Sequence, residues 1–304
     1  MNIVAPSSHG SVSSADGTAI AYRTLGSGEG IVVVGGALSS GEDYLPLART
    51  LSESFAVHVV DRRGRGASGP QGPGYSIETE CEDLIAVQMA TGATSVFGHS
   101  FGGLVALETA RRTDTFLRVA VYEPAVSING SIPVGWMPCY RKRLVAGDSR
   151  GAFACFVRQA GFAPSALARM PLWYARAVLR VVIRQPQWRH MEPLLEQNLA
   201  EHEVVADLDE GSVDRFRAVS APVLLLGGGK SPAFVNTKPF EAMQSAIPNA
   251  TLEILDGLDH LAPSETAPEQ VAARVREFLD AVPTPPLRSN DHECSTRPSI
   301  ARGE

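Results

Sequence analysis

The sequence predicts an α/β fold: a mostly parallel eight-stranded sheet, helices on both faces and a helical insertion after the sixth strand. Three observations lead there. Strand-like and helix-like segments alternate over roughly the first 280 of 304 residues. A glycine-rich turn, Gly98-His99-Ser100-Phe101-Gly102-Gly103, follows a strand-like run directly and opens a helix-like one. Between Ala125 and Val219 the strand signals give way to helical stretches broken by Pro133, Pro138, Pro164, Pro171, Pro186 and Pro193.

Ser11–Ser14 and Ala19–Leu25 flank Asp16-Gly17, a hairpin turn signal. Ile31–Val34 is a short β-branched run of the kind that fills a buried parallel strand. Asp43–Ser52 reads as a helix, Phe55–Val60 as a buried strand ending at Asp61, and Ser76–Ala90 as a helix. Thr94–Phe97 is the strand before the glycine-rich turn, and Leu104–Arg112 is a helix of good formers. Arg118–Tyr122 is the sixth strand, ending at Glu123-Pro124. Pro222–Leu226 and Thr251–Leu255 are the last two strands, followed by helices Lys238–Ala246 and Pro268–Ala281. Within the insertion, Leu172–Arg184 carries Arg176, Arg180 and Arg184 four apart, read as a solvated face. Its other face, Trp173, Ala177, Val178, Val181 and Val182, is expected to line an acyl pocket or pack on the core. Residues 1–124 and 220–282 then form one core and 125–219 a helical cap. The polar stretch 283–304, after Pro283-Thr284-Pro285-Pro286, reads as a disordered tail.

Bulk properties exclude several function classes. A hydrophobic content of 44% with 20% charged residues is that of an ordinary globular chain. The formal net charge of −6 gives no electrostatic reason to expect nucleic acid or an anionic membrane as partner. No apolar run approaches the ~20 residues that span a bilayer, and the first ten residues lack a secretory pattern. Cys81, Cys139, Cys155 and Cys294 form no CxxC or metal-ligand pattern and read as reduced thiols in a cytoplasmic protein. No metal-binding cluster and no dinucleotide fingerprint is present, so neither metal nor cofactor is expected.

The chemistry concentrates at Gly98-x-Ser100-x-Gly102. A strand-to-helix turn this tight strains its central residue and lifts the serine hydroxyl above the C-terminal edge of the sheet. There it meets a helix N-terminus, whose dipole favours developing negative charge. With this motif in this context, the chain from about Ser11 to Ala281 resembles the α/β-hydrolase superfamily, in its esterase, haloperoxidase and haloalkane dehalogenase branch. The resemblance implies that Ser100 is a nucleophile. It further implies an oxyanion hole made of two backbone N–H groups. One is that of Phe101; the other is that of Ala37, in Gly35-Gly36-Ala37, where the family usually has His-Gly-x. The run Asp61-Arg62-Arg63-Gly64-Arg65-Gly66-Ala67-Ser68 resembles the family's Asp-x-Arg-Gly-x-Gly-x-Ser turn and reads as structural support for the site.

Of seven histidines, His260 has both the chain order and the loop position of a general base, after the last strand in Asp256-Gly257-Leu258-Asp259-His260. His99 lies inside the turn, His58 in a strand, and His190, His202 and His292 in the insertion or tail. The family's usual acid position, after the seventh strand, holds Ser231, which cannot stabilise an imidazolium as a carboxylate does. Glu123 ends the strand adjacent to that of Ser100 and is the replacement candidate. Some haloalkane dehalogenases carry their acid after this strand. A Glu that binds the following loop is the other reading of Glu123, and Asp259 and Asp256 are weaker candidates. A serine at the elbow implies an acyl-serine intermediate and a carboxylic ester or thioester substrate. Two alternatives stay open: a cofactor-free lyase, cyclase or perhydrolase using the same triad, and a non-catalytic ligand-binding protein of this fold.

Overall fold

The computed structural model describes residues 7–161, 165–209, 213–232 and 238–281. Eight strands, β1 (Ser7–Ser13), β2 (Ala19–Leu25), β3 (Gly30–Val34), β4 (Ala56–Val60), β5 (Ser95–His99), β6 (Arg118–Tyr122), β7 (Val223–Gly228) and β8 (Ala250–Leu255), form one sheet in the order β1-β2-β4-β3-β5-β6-β7-β8. β1 pairs antiparallel with β2, and β2 antiparallel with β4; from β4 to β8 every pairing is parallel. Among the described residues no helix is long and apolar enough to cross a membrane. The tail 283–304 lies outside the described residues.

Alternation along the strands divides the core into two layers. Val32, Val34, Val96, Val119, Val121, Val223 and Leu225 face one side, where α2 (Ile77–Thr91), α3 (Phe101–Ala110) and α10 (Lys238–Ala246) pack. Ile31, Val33, Val57, Val59, Phe97, Ala120, Leu224 and Leu226 face the other, covered by α1 (Leu45–Leu51) and α11 (Pro268–Ala281). Each of these aliphatic side chains contributes about 1.5–3 kcal/mol by leaving water. α2 starts at Ser76, whose hydroxyl accepts the Thr79 N–H, and stops at Gly92, which takes the left-handed conformation at φ 68°.

Several boundaries differ from the sequence reading. β5 runs two residues past Phe97, because Gly98 and His99 stay in register with Val121 and Tyr122 of β6. α3 starts at Phe101 rather than Leu104. Gly102 and Gly103 are poor helix formers, but the turn fixes their conformation. All ten α3 residues are buried. The stretch read as one helix from Asp43 is a 3-10 turn (Gly41–Tyr44) followed by α1.

Between β6 and β7 lie α4 (Met137–Val145), α5 (Ser149–Gln159), α6 (Ser165–Arg169), α7 (Leu172–Val182), α8 (Gln185–Met191) and α9 (Leu195–Asp209). They enclose a cluster of their own around Trp136, Tyr140, Phe153, Trp188 and Leu195. Two sequence expectations fail in this region. Cys139 and Cys155 are not free thiols: they form a disulfide joining α4 to α5, across 16 residues of sequence. The apolar face of α7, expected to line an acyl pocket or pack on the core, does not pack on the core: Trp173 is 72% and Val181 81% exposed, while Ala175 and Leu179 are buried. The buried stripe is narrow, and small Ala175 lets α7 lie close on α5.

Candidate active site

Ser100 sits between β5 and α3 at φ 52° and ψ −119°, a conformation that L-residues rarely adopt. Close backbone packing enforces it. A Cβ on Gly98 would lie 2.4 Å from the Gly102 carbonyl oxygen, and one on Gly102 2.3 Å from that of Val34. The Ser100 N–H donates to the Tyr122 carbonyl at 2.9 Å, and its own carbonyl accepts the Ala125 N–H at 2.9 Å, tying the turn to the end of β6. Positive φ at non-glycine residues recurs around it, at Leu38 (55°) and Glu123 (44°). Three segments that converge on one end of the sheet are thus each strained at one residue.

Glu123 is buried at 1% exposure. One carboxylate oxygen, Oε1, accepts the Gly228 N–H at the end of β7 at 2.7 Å, and Oε2 lies 2.6 Å from Nδ1 of His260. The loop carrying His260 is pinned to the sheet twice. Tyr122 Oη donates to the Asp259 carbonyl at 2.8 Å, and the Lys230 N–H donates to that of Leu258 at 2.8 Å. The Asp259 carboxylate is turned away to the Leu261 N–H and the Thr266 hydroxyl. Ser231 closes a turn, its N–H donating to the Gly228 carbonyl at 3.0 Å.

The Gly35-Gly36-Ala37 loop passes directly beside the serine: a Cβ on Gly36 would lie 3.1 Å from Ser100 Cβ. The Gly36 N–H donates to Tyr44 Oη at 2.8 Å. Among the described residues neither the Ala37 nor the Phe101 N–H meets a protein acceptor. Burial pushes the Tyr44 phenol up to about 12 and holds the buried His99 well below the ordinary histidine value, so both are neutral at pH 7. Tyr44 Oη and His99 Nδ1 share a hydrogen bond of 2.6 Å. The His99 ring in turn packs on that of His260, with centroids 4.8 Å apart.

The arginines of the 61–68 turn reach this loop as well. Arg62 Nε donates to the Gly35 carbonyl, Arg62 Nη2 and Arg65 Nη1 both donate to that of Gly36, and the Arg62 guanidinium lies 4.9 Å from the centre of the Phe101 ring. Burial alone would lower the Arg62 value, but Glu201 and Glu80 outweigh it and raise it, keeping the group charged. Sequence reasoning missed Tyr44 and Glu201. Nothing in the sequence marks Tyr44. Glu201 did leave a signal: with Leu194, Asn198 and Val205 it makes one buried stripe, placing two polar residues where apolar ones are expected.

The structure thus brings His260 and Glu123 into contact and the Ala37 loop beside Ser100. The remaining histidines lie elsewhere: His9 in β1, His58 on Thr24, His190 on Asp43, and His202 in the aromatic cluster with Trp136 and Phe156; His292 is outside the described residues. A groove of about 1060 Å³ runs between the β1–β2 edge and the 189–197 segment, and none of Ser100, Glu123 and His260 lines it.

Known proteins resemble this chain over most of its length. The chain is 26% identical to a non-heme haloperoxidase of Rhodococcus erythropolis over 269 residues, covering 82% of this chain and 92% of the relative. It is 25% identical to a 2-(acetamidomethylene)succinate hydrolase of Mesorhizobium japonicum over 263 residues, covering 85% and 91%. The solved structure of an alpha/beta hydrolase from Sphaerobacter thermophilus superposes with a TM-score of 0.75 at 33% identity, covering 89% of this chain and 100% of that one. Residues 31–274, which run from β3 through α11 and carry every site residue described above, match the model of the alpha/beta hydrolase family. With its sheet order, its strained serine turn and its sequence in accord, the chain belongs to the alpha/beta hydrolase family.

Proposed function

We propose that the protein is a serine hydrolase that cleaves a carboxylic ester or thioester, with Ser100 as nucleophile, His260 as base and Glu123 as acid. The observation that carries the reading is the 2.6 Å contact between His260 Nδ1 and the buried Glu123 carboxylate, beside the strained Ser100 turn. Glu123 at Nδ1 orients the ring, and in this reading Nε2 takes the Ser100 proton. Ser100 Oγ bonds to the acyl carbon, the carbonyl electrons move onto oxygen, and the Ala37 and Phe101 N–H groups stabilise that charge. Collapse expels the alkoxide or thiolate, which takes the proton from His260. Water, deprotonated by His260, then releases the acid and restores Ser100.

Residues 125–219 act as a cap over this site in the same reading and shape the acyl pocket. The partner is a small acyl compound, with neither nucleic acid nor membrane involved. A cytoplasmic location was the sequence expectation, and the Cys139–Cys155 disulfide favours an oxidising compartment instead.

A fluorophosphonate probe together with p-nitrophenyl butyrate tests the proposal. Stoichiometric labelling of Ser100, with turnover abolished in Ser100→Ala, is expected. Turnover lost in His260→Ala but retained in an unlabelled Ser100→Ala would overturn it in favour of acid–base chemistry without an acyl-enzyme. Neither labelling nor turnover, with tight ligand binding, would leave a binding protein.

A further inference from the structure

Three donors converge on a single carbonyl in the Gly35-Gly36-Ala37 loop. The Gly36 oxygen accepts from Arg62 Nη2 at 3.0 Å, Arg65 Nη1 at 3.0 Å and Ser39 Oγ at 2.9 Å. Two of the three are guanidinium donors, and both arginines are buried, at 2% and 4% exposure. This is more than a loop needs to satisfy one carbonyl, since one or two bonds suffice. The same peptide group carries the Ala37 N–H at its other end. Hydrogen bonds to the oxygen of an amide draw electron density from its nitrogen and strengthen its N–H as a donor. The preceding N–H, that of Gly36, is committed to Tyr44, so the Ala37 N–H is the one left for a substrate oxygen.

We propose that Arg62 and Arg65 are positioning residues for the oxyanion hole, orienting and polarising the Gly36–Ala37 peptide, with Glu201 of α9 holding both guanidinium groups in place. Glu201 Oε1 accepts from Arg62 Nη2 at 2.9 Å and also from Arg65 Nη2. Arg62 is further paired with Glu80 at 2.7 Å, and Arg65 Nη1 reaches the Ser39 carbonyl at 3.1 Å. The device thus joins three parts of the chain: the turn after β4, the loop after β3 and a helix inserted between β6 and β7. It rests on the acyl-serine reading above, and it adds a means by which the inserted helices set the rate of the chemical step.

The test reads the acyl carbonyl directly. The full chain is acylated with cinnamoyl imidazole carrying ¹³C at its carbonyl, and the infrared band of the acyl-enzyme is recorded by isotope difference. Arg65→Met/Glu201→Gln removes one positive and one negative charge together and leaves Arg62 balanced by Glu80. The expected result is a band shifted to higher wavenumber, a kcat for p-nitrophenyl butyrate lower by about threefold to tenfold, and an unchanged KM. Arg65→Lys serves as the second variant. It keeps the charge but loses the planar fork, and the expected shift has the same sign. A purely structural role would lower the melting temperature and the fraction that acylates, while the band of the acylated fraction stayed in place. An unmoved band in both variants therefore overturns the proposal. Failure of the unaltered chain to form any acyl-enzyme would overturn the acyl-serine reading and the proposal with it.

Discussion

Glu123 is the residue on which the proposed triad turns. Its carboxylate is anchored through Oε1 by the Gly228 N–H, so Oε2 has a fixed direction toward His260. Replacing it with Gln keeps the shape and the Gly228 bond but sets an amide N–H against Nδ1. Nδ1 then becomes the acceptor, Nε2 carries the proton, and the base is in the wrong tautomer. Glu123→Gln is expected to lower kcat for p-nitrophenyl butyrate by ~10²-fold or more with little change in KM, and near-normal turnover would remove Glu123 from the triad. Ser231→Ala is expected to leave turnover near that of the unaltered chain, because the carboxylate that meets His260 Nδ1 is that of Glu123. A loss like that of His260→Ala would restore the usual acid position to the mechanism. The Gly-x-Ser-x-Gly turn singled out Ser100 as a candidate, and chain order with loop position singled out His260, since both are local patterns. The Glu123–His260 contact joins residues 137 apart in sequence and was legible only through the adjacency of β5 and β6. Tyr44 was illegible because its role depends on what a folded loop brings to it, and Glu201 showed only as a polar residue in an otherwise buried stripe.

At the scale of elements, the sheet and the helical character of the insertion were legible, and the packing of the inserted helices was not. Most strands have a two-residue period or a β-branched run that local sequence exposes. The helices between β6 and β7 pack mainly on one another, and α7 buries only a narrow stripe, Ala175 and Leu179. α7 therefore leaves Trp173, Val181 and Val182 facing outward, although pattern alone assigns them to a core face. The disulfide is illegible for a related reason: Cys139 and Cys155 are 16 residues apart and meet only because α4 and α5 pair as a helical hairpin. A cross-link closing a loop of that length stabilises by about 3 kcal/mol, mostly by constraining the unfolded chain. Cys139→Ser, or reduction by dithiothreitol, is expected to lower unfolding free energy by about that amount in urea titration. The sheet is untouched, so Ser100 labelling should persist at moderate temperature. A midpoint indifferent to reductant would show that the link contributes nothing.

For the whole molecule, stability is coupled to pH through histidines that the fold keeps neutral. His58, His99 and His202 all lie below the ordinary value of 6.5, in each case because burial disfavours the charged ring. Above that value the folded and unfolded chains bind the same number of protons at these sites, and stability is independent of pH. Below it the unfolded chain takes up protons that the folded one refuses, so the unfolded state gains stability as pH falls. The loss begins near pH 6.5 and continues until the folded-state values are reached. Glu80 and Glu265 lie above the ordinary carboxyl value, chiefly through burial, and oppose this trend toward the acid end. A variant of one histidine therefore isolates the effect better than the raw curve. His202→Phe keeps the edge contacts with Trp136 and Phe156 and removes the titrating ring. Its melting temperature is expected to fall less steeply than that of the unaltered chain between pH 7 and pH 5. Parallel curves over that range would mean that His202 takes up its proton as readily in the folded chain as in the unfolded one.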